Sequence, residues 1–235
     1  MGPKTRSGSG PRSELDRVLT VADDDRVEAV AGTDGWQTAA MTAALLPEDF
    51  DDLHEFIRVQ VAAGFAPVDA IVDEAVEVFA DTEVPSAALR EAATVLAGQA
   101  LTAHAAEQAS WPGTTDCERL DAAFTELDAA GIVARQHFSC CGACGANEVH
   151  DEIERVEKTG QSVRGYTFFH IQDTEQAVAG EALYLSYGSA DRDRENALDI
   201  GREVVATLER HGLSPAWNGR HNHRIALPLH WQRRR

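Results

Sequence analysis

Three of the four cysteines in this 235-residue sequence fall within five positions, in the run Cys140-Cys141-Gly142-Ala143-Cys144. A thiolate is a soft metal ligand and a strong nucleophile, so a tight thiol cluster reads as metal ligands, a redox pair or buried packing. The Cys-x-x-Cys spacing lets Cys141 and Cys144 face one point, with Gly142 permitting a tight backbone. Two such sulfurs are half of a tetrahedral zinc site, and Cys140 offers a third. For the fourth ligand the sequence offers His137, three residues upstream, His150 in the following helix and His170 at the end of the next strand. The metal set expected on this reading is Cys140, Cys141, Cys144 and His170, holding zinc in a largely structural role. The same residues support another chemistry, with Cys141 as attacking thiolate and Cys144 as resolving thiol of a redox protein or enzyme. Free cysteine is also commonly buried, so a protein-interaction module with chemically silent cysteines is the third reading.

Each chemical reading needs a strand that ends and a helix that begins at the cluster. Ile132 to Phe138 alternates as a strand, with Ile132, Ala134 and Phe138 on one face and His137 on the other. Asn147 to Thr159 reads as a helix stopped by Gly160. Upstream, Thr115-Asp-Cys-Glu118 is a capping-box pattern that opens a helix carrying Leu120, Phe124 and Leu127 and ending at Gly131. Cys117 lies alone on that helix. Downstream, Tyr166 to Gln172 and Leu183 to Tyr187 read as strands and Glu195 to His211 as a helix. Two closing strands are expected around Ala216-Trp217 and Arg224 to Trp231, with Pro228 suggesting an edge position.

Two further constellations carry polar groups. Phe168-Phe169-His170-Ile171-Gln172-Asp173-Thr174-Glu175 runs an apolar strand into polar residues. There His170, Asp173 and Glu175 read either as ligands or an acid–base set, or as the cap of a short helix at Asp173 or Thr174. His221 and His223 lie in a turn, where a solvated role outweighs metal binding. No glycine-rich phosphate loop, serine elbow or paired-histidine zinc motif is present.

The elements before Trp111 are helical. Leu53, Phe56, Ile57 and Val61 form one apolar stripe, and Ile71, Val72, Ala75, Val76 and Phe79 a second, entered through Pro67. Pro85-Ser86 opens an alanine-rich third helix with Leu89, Val95, Leu96 and Leu101. Trp111-Pro112-Gly113 breaks the pattern and marks a boundary. The expected organisation is a disordered tail over 1–13, an acidic helical domain over 14–110 and an α+β domain over 111–235. The latter is read as a sandwich, one sheet of about five strands with helices on one side.

Charge narrows the partners. The net charge is −18, and residues 14–110 hold 20 acids against 4 bases. That half repels a phosphate backbone, which argues against nucleic acid, and leaves a protein or small molecule as the expected partner. Its acidic helical face suits a basic partner. Residues 111–235 are nearer balance, with 19 acids against 14 bases. Arg233-Arg234-Arg235 reads as a solvated basic end. No stretch approaches the roughly 18 apolar residues of a membrane span, and the basic start lacks an apolar run behind it. A cytoplasmic protein is expected.

From Trp111 onward the residues resemble a family of bacterial proteins grouped as a domain of unknown function. The resemblance rests on Phe138-Ser-Cys-Cys-x-x-Cys144-Gly and Phe168-Phe169-His170-x-Gln172-Asp173-Thr174-Glu175. It is supported by Leu120-Asp121-x-Ala123-Phe124, Gly131-Ile132-Val133-Ala134, Tyr184-Leu-x-Tyr187-Gly188 and Trp231-x-Arg233-Arg234-Arg235. The helical half is similar more loosely. The resemblance implies no activity, so function rests on the residues.

Overall fold

A computed structural model gives the fold and describes residues 47–235 apart from Glu83. The tail read over 1–13 and the helical start read over 14–46 lie outside the described residues. Three helices come first: α1 (Pro47–Ala63), α2 (Val68–Val78) and α3 (Ser86–Gln108). Leu53, Ile57 and Val61 recur every fourth residue and form the buried face of α1. Glu48 and Asp49 sit in its first turn, where the helix dipole favours acids. Ile71, Val72 and Ala75 are the buried residues of α2. On α3, Ala92, Ala93 and Ala97 are buried beside Leu89 and Leu96, and their small side chains let it pack on both α1 and α2.

Helix α4 (Asp116–Ala129) opens on the expected capping box. The Thr115 amide donates to Glu118 Oε2 at 2.8 Å and the Glu118 amide to Thr115 Oγ1 at 3.2 Å. Leu120, Phe124 and Leu127 then enter the main core with Ile132, Leu183, Leu185, Val204 and Leu208. Helix α4 is thereby packed on the sheet. The remaining elements are β1 (Ile132–Arg135), α5 (Gly142–Glu157), β2 (Gly165–Phe168), α6 (Ile171–Val178), β3 (Leu183–Ser189), α7 (Arg194–Arg210) and β4 (Ile225–Leu227).

The strands lie in the order β1-β2-β3-β4. The β1–β2 pair is parallel, with α5 as its crossover, and the other two pairs are antiparallel. The architecture is mixed α/β, and it differs from the expected five-stranded sandwich in two ways. The segment at Ala216 makes only a single bridge, to Ala226. Helices also cover both faces of the sheet at β1. Ile132 and Ala134 join the core under α4 and α7, whereas Val133, alternating to the other face, packs with Ile153 of α5 and Val163. Strand β4, followed by Pro228, is an edge as expected.

The described residues from Pro47 to Arg235 form one compact unit, and the Trp111–Gly113 turn lies inside it, between α3 and α4. The last residues tie its two parts together. Trp231 Nε1 donates to the Ala62 carbonyl at 3.0 Å, and Arg235 donates to those of Val61 at 2.7 Å, Ala66 at 2.9 Å and Gln60 at 3.2 Å. These are carbonyls at or just past the end of α1, where a helix lacks its own donors. Arg233 lies 4.2 Å over the Phe65 ring and pairs with Asp121 at 3.0 Å, while Arg234 pairs with Glu118 at 2.9 Å. The expectation of a solvated basic end is therefore overturned, because the carbonyls around the end of α1 and the carboxylates of Glu118 and Asp121 on α4 converge on it. Among the described residues no helix is long and apolar enough to cross a membrane.

Candidate metal centre

Strand β1 ends at Arg135, and the chain then takes a left-handed conformation at His137 (φ 51°) and Ser139 (φ 64°). Such conformations cost on the order of 1 kcal/mol each for residues with a side chain, so neighbouring contacts must hold them. They do so by continuing the β1–β2 ladder past the strand ends. The Phe138 amide donates to the Phe169 carbonyl at 2.8 Å, and the Ile171 amide to the Ser139 carbonyl at 3.1 Å. The turn ends at Cys141, the extended N-cap of α5. Helix α5 starts at Gly142, earlier than the sequence reading had it, so Cys144 lies in its first turn.

This path brings the sulfurs of Cys140, Cys141 and Cys144 together, all within 4.8 Å of one another. Cys140 is exposed and the other two are half-buried. The group sits at the carboxyl ends of two parallel strands, where α5 and α6 both begin. Gly145 makes the first turn of α5 fit against β2, since a Cβ there would come within 2.6 Å of the Phe168 ring.

Electrostatics divides the three thiols. Cys141 makes no side-chain cap in hydrogen-bond geometry, yet the amides of Cys144 and Ala143 draw its pKa below the ordinary value. The neighbouring sulfurs of Cys144 and Cys140 act in the same direction. Cys144 is pushed up to about 12, first by hydrogen bonding of its thiol to Cys140 and Cys141 and then by their negative charge. A cluster that gives up one proton readily and retains another resists becoming three bare thiolates. A bound cation reverses that balance, because it replaces the shared proton and neutralises the sulfurs.

His170 lies beside this group but not in it. Its Nε2 is the nearest atom to where a Cβ on Gly142 would be, 3.5 Å away. It is the N-cap of α6, three or four residues ahead of the cap read from sequence at Asp173 or Thr174. His170 Nδ1 accepts the Asp173 amide at 3.2 Å, and the His170 amide donates to Asp173 Oδ2 at 3.1 Å. Nε2 lies 3.0 Å from the same carboxylate oxygen. Burial lowers the His170 pKa, opposed by Asp173 and assisted by Arg224. With Nδ1 accepting the Asp173 amide, the neutral ring carries its proton on Nε2. Asp173, 1% exposed, also receives both terminal nitrogens of Arg224, one at 3.0 Å.

The other candidates are placed elsewhere. His137 Nδ1 meets Thr174 Oγ1 at 2.9 Å, and its ring stacks on Phe65 at 4.4 Å. Burial, then Arg233, lowers its pKa to about 4. His150 stands edge-on to Tyr166. Cys117 is buried under the C-terminal residues, its sulfur accepting the Gln232 amide at 3.3 Å and its pKa raised to about 11 by burial. The Glu175 carboxyl is raised by burial and by Glu74, and it takes no part in the thiol group. His221 and His223 are exposed, with His223 Nδ1 2.8 Å from the Asn218 amide nitrogen. Arg224, which fixes Asp173, has no signal in the sequence, because 51 residues separate the pair.

No curated protein and no solved structure matches the chain. The family described as Domain of unknown function (DUF6891) matches residues 47–235, which takes in the three helices as well as the sheet and the thiol turn. The chain belongs to the DUF6891 family.

Proposed function

We propose that the protein binds one transition-metal ion, zinc, through Cys140, Cys141 and Cys144. The supporting observation is the convergence of the three sulfurs within 4.8 Å at a helix start. Thiolate-rich sites suit borderline-soft ions such as zinc. The role is largely structural: the ion would cross-link the turn after β1, which contains two left-handed residues, to the first turn of α5. Elemental analysis of protein purified without added metal or chelator tests the reading. About one ion per chain is expected. It fails if no metal is found and the reduced protein takes up neither zinc nor cobalt.

A second reading, thiol redox chemistry with Cys141 attacking and Cys144 resolving, is favoured by the lowered pKa of Cys141. Alkylation separates the two. In the metal reading zinc protects all three thiols and a chelator exposes them, whereas in the redox reading Cys141 alone reacts fast with either addition.

A further inference from the structure

Resting on that reading, we propose that the ion's fourth ligand comes from outside the chain and is a small thiol bound as its thiolate. All nine histidines and four cysteines lie among the described residues. Of these, only Cys140, Cys141 and Cys144 form a ligand group. Cys117 is held under the C-terminal residues, accepting the Gln232 amide. His137 is bound to Thr174 and stacked on Phe65.

His170 borders the thiol turn, its Nε2 3.5 Å from where a Cβ on Gly142 would be. Its Nδ1 lone pair accepts the Asp173 amide, and its Nε2 faces the Asp173 carboxylate, itself gripped by Arg224. Turning that ring toward the sulfurs would open the α6 cap and leave a buried carboxylate with fewer partners. Three thiolates leave a four-coordinate ion one position short. Cys140 is exposed, and Gly142 and Ala143 carry no bulky side chain, so a ligand from solvent can reach the group.

The donor set favours sulfur in the last position, because a site made of soft ligands selects soft partners. Binding is ligand exchange. The thiol loses its proton to solvent, a sulfur–metal bond forms, bound water leaves, and no electron is transferred. The amides at the start of α5 offset part of the added negative charge.

Cobalt as the ion and β-mercaptoethanol as the thiol provide the test. Reduced protein freed of small thiols is loaded with cobalt, and its sulfur-to-cobalt charge-transfer absorption is followed as thiol is added. The absorption should rise by about one third and saturate, as three thiolates become four. A His170→Asn variant keeps a side-chain acceptor for the α6 cap and should give the same spectra before and after thiol. An unchanged spectrum while cobalt stays bound overturns the proposal, as does removal of the cobalt by the thiol. A changed thiol-free spectrum in the variant overturns it as well, by making His170 the fourth ligand. If reduced wild-type protein takes up no cobalt, the metal reading itself falls and this one with it.

Discussion

Replacing Asp173 by Asn keeps the side chain's shape and removes its charge. The carboxylate is 1% exposed, accepts the His170 amide and receives two guanidinium nitrogens from Arg224. The amide offers one oxygen where two served, and its NH2 group confronts donors. Removing one partner of a buried ion pair costs about 3–5 kcal/mol, because the other charge is stranded. Arg224 is 35% exposed, so water relieves part of that penalty, and a loss of about 2–3 kcal/mol is expected. Urea denaturation of the reduced protein measures it, with a midpoint lower by about 1 M for a slope of about 2–3 kcal/mol/M. The same substitution made beside Arg224→Gln should cost less than about 1 kcal/mol, since no stranded cation remains. A loss below about 0.5 kcal/mol in the wild-type background, or equal losses in both, would refute the ion-pair argument.

Gly145→Ala should lower stability by about 1–3 kcal/mol, because its Cβ meets the Phe168 ring at 2.6 Å, and a thermal melt reads the change. His137, with its pKa near 4 in the fold, stays neutral while the unfolded chain takes up a proton below its ordinary 6.5. Stability should therefore fall as pH drops from 6.5 toward about 4 and be insensitive to this group above 6.5. His137→Asn, which tolerates the left-handed backbone, should flatten that limb in a pH series of urea midpoints. Arg235→Ala should cost about 1–2 kcal/mol by unbonding carbonyls around the end of α1, and amide exchange should quicken there first.

What the sequence disclosed were features with local causes. Thr115 and Glu118 lie three apart and cap each other through short-range geometry alone. The stripes on α1 and α2 follow from helical periodicity, and the thiol turn is legible between strand and helix because alternation runs up to Phe138 and helical periodicity follows the cysteines. What stayed hidden depends on residues distant in sequence or on backbone shape. A left-handed His137 and Ser139 carry no residue-type signal comparable to glycine, so the start of α5 and the convergence of adjacent Cys140 and Cys141 could not be drawn in detail. The α6 cap was read at Asp173 or Thr174 because histidine is a rare cap, and its success here depends on Arg224 holding Asp173 in place. Helices were expected on one side of the sheet only, and α5 covers the other at Val133, because a buried face on a helix does not say which face of a sheet it meets.

The grip of Trp231 and Arg235 on α1 sets an order of events while the chain is being made. Ala62 and Trp231 are 169 positions apart, and Val61 and Arg235 are 174 apart. Helices α1 to α3 contact one another and can assemble soon after they leave the ribosome. The carbonyls at the end of α1 then wait for the rest of the chain, on the order of ten to thirty seconds at usual elongation rates. Through that interval Phe65 lacks its Arg233 cover, and the nascent chain offers chaperones and proteases an open helix end. Synthesis of Trp231, Arg233 and Arg235 is what closes it.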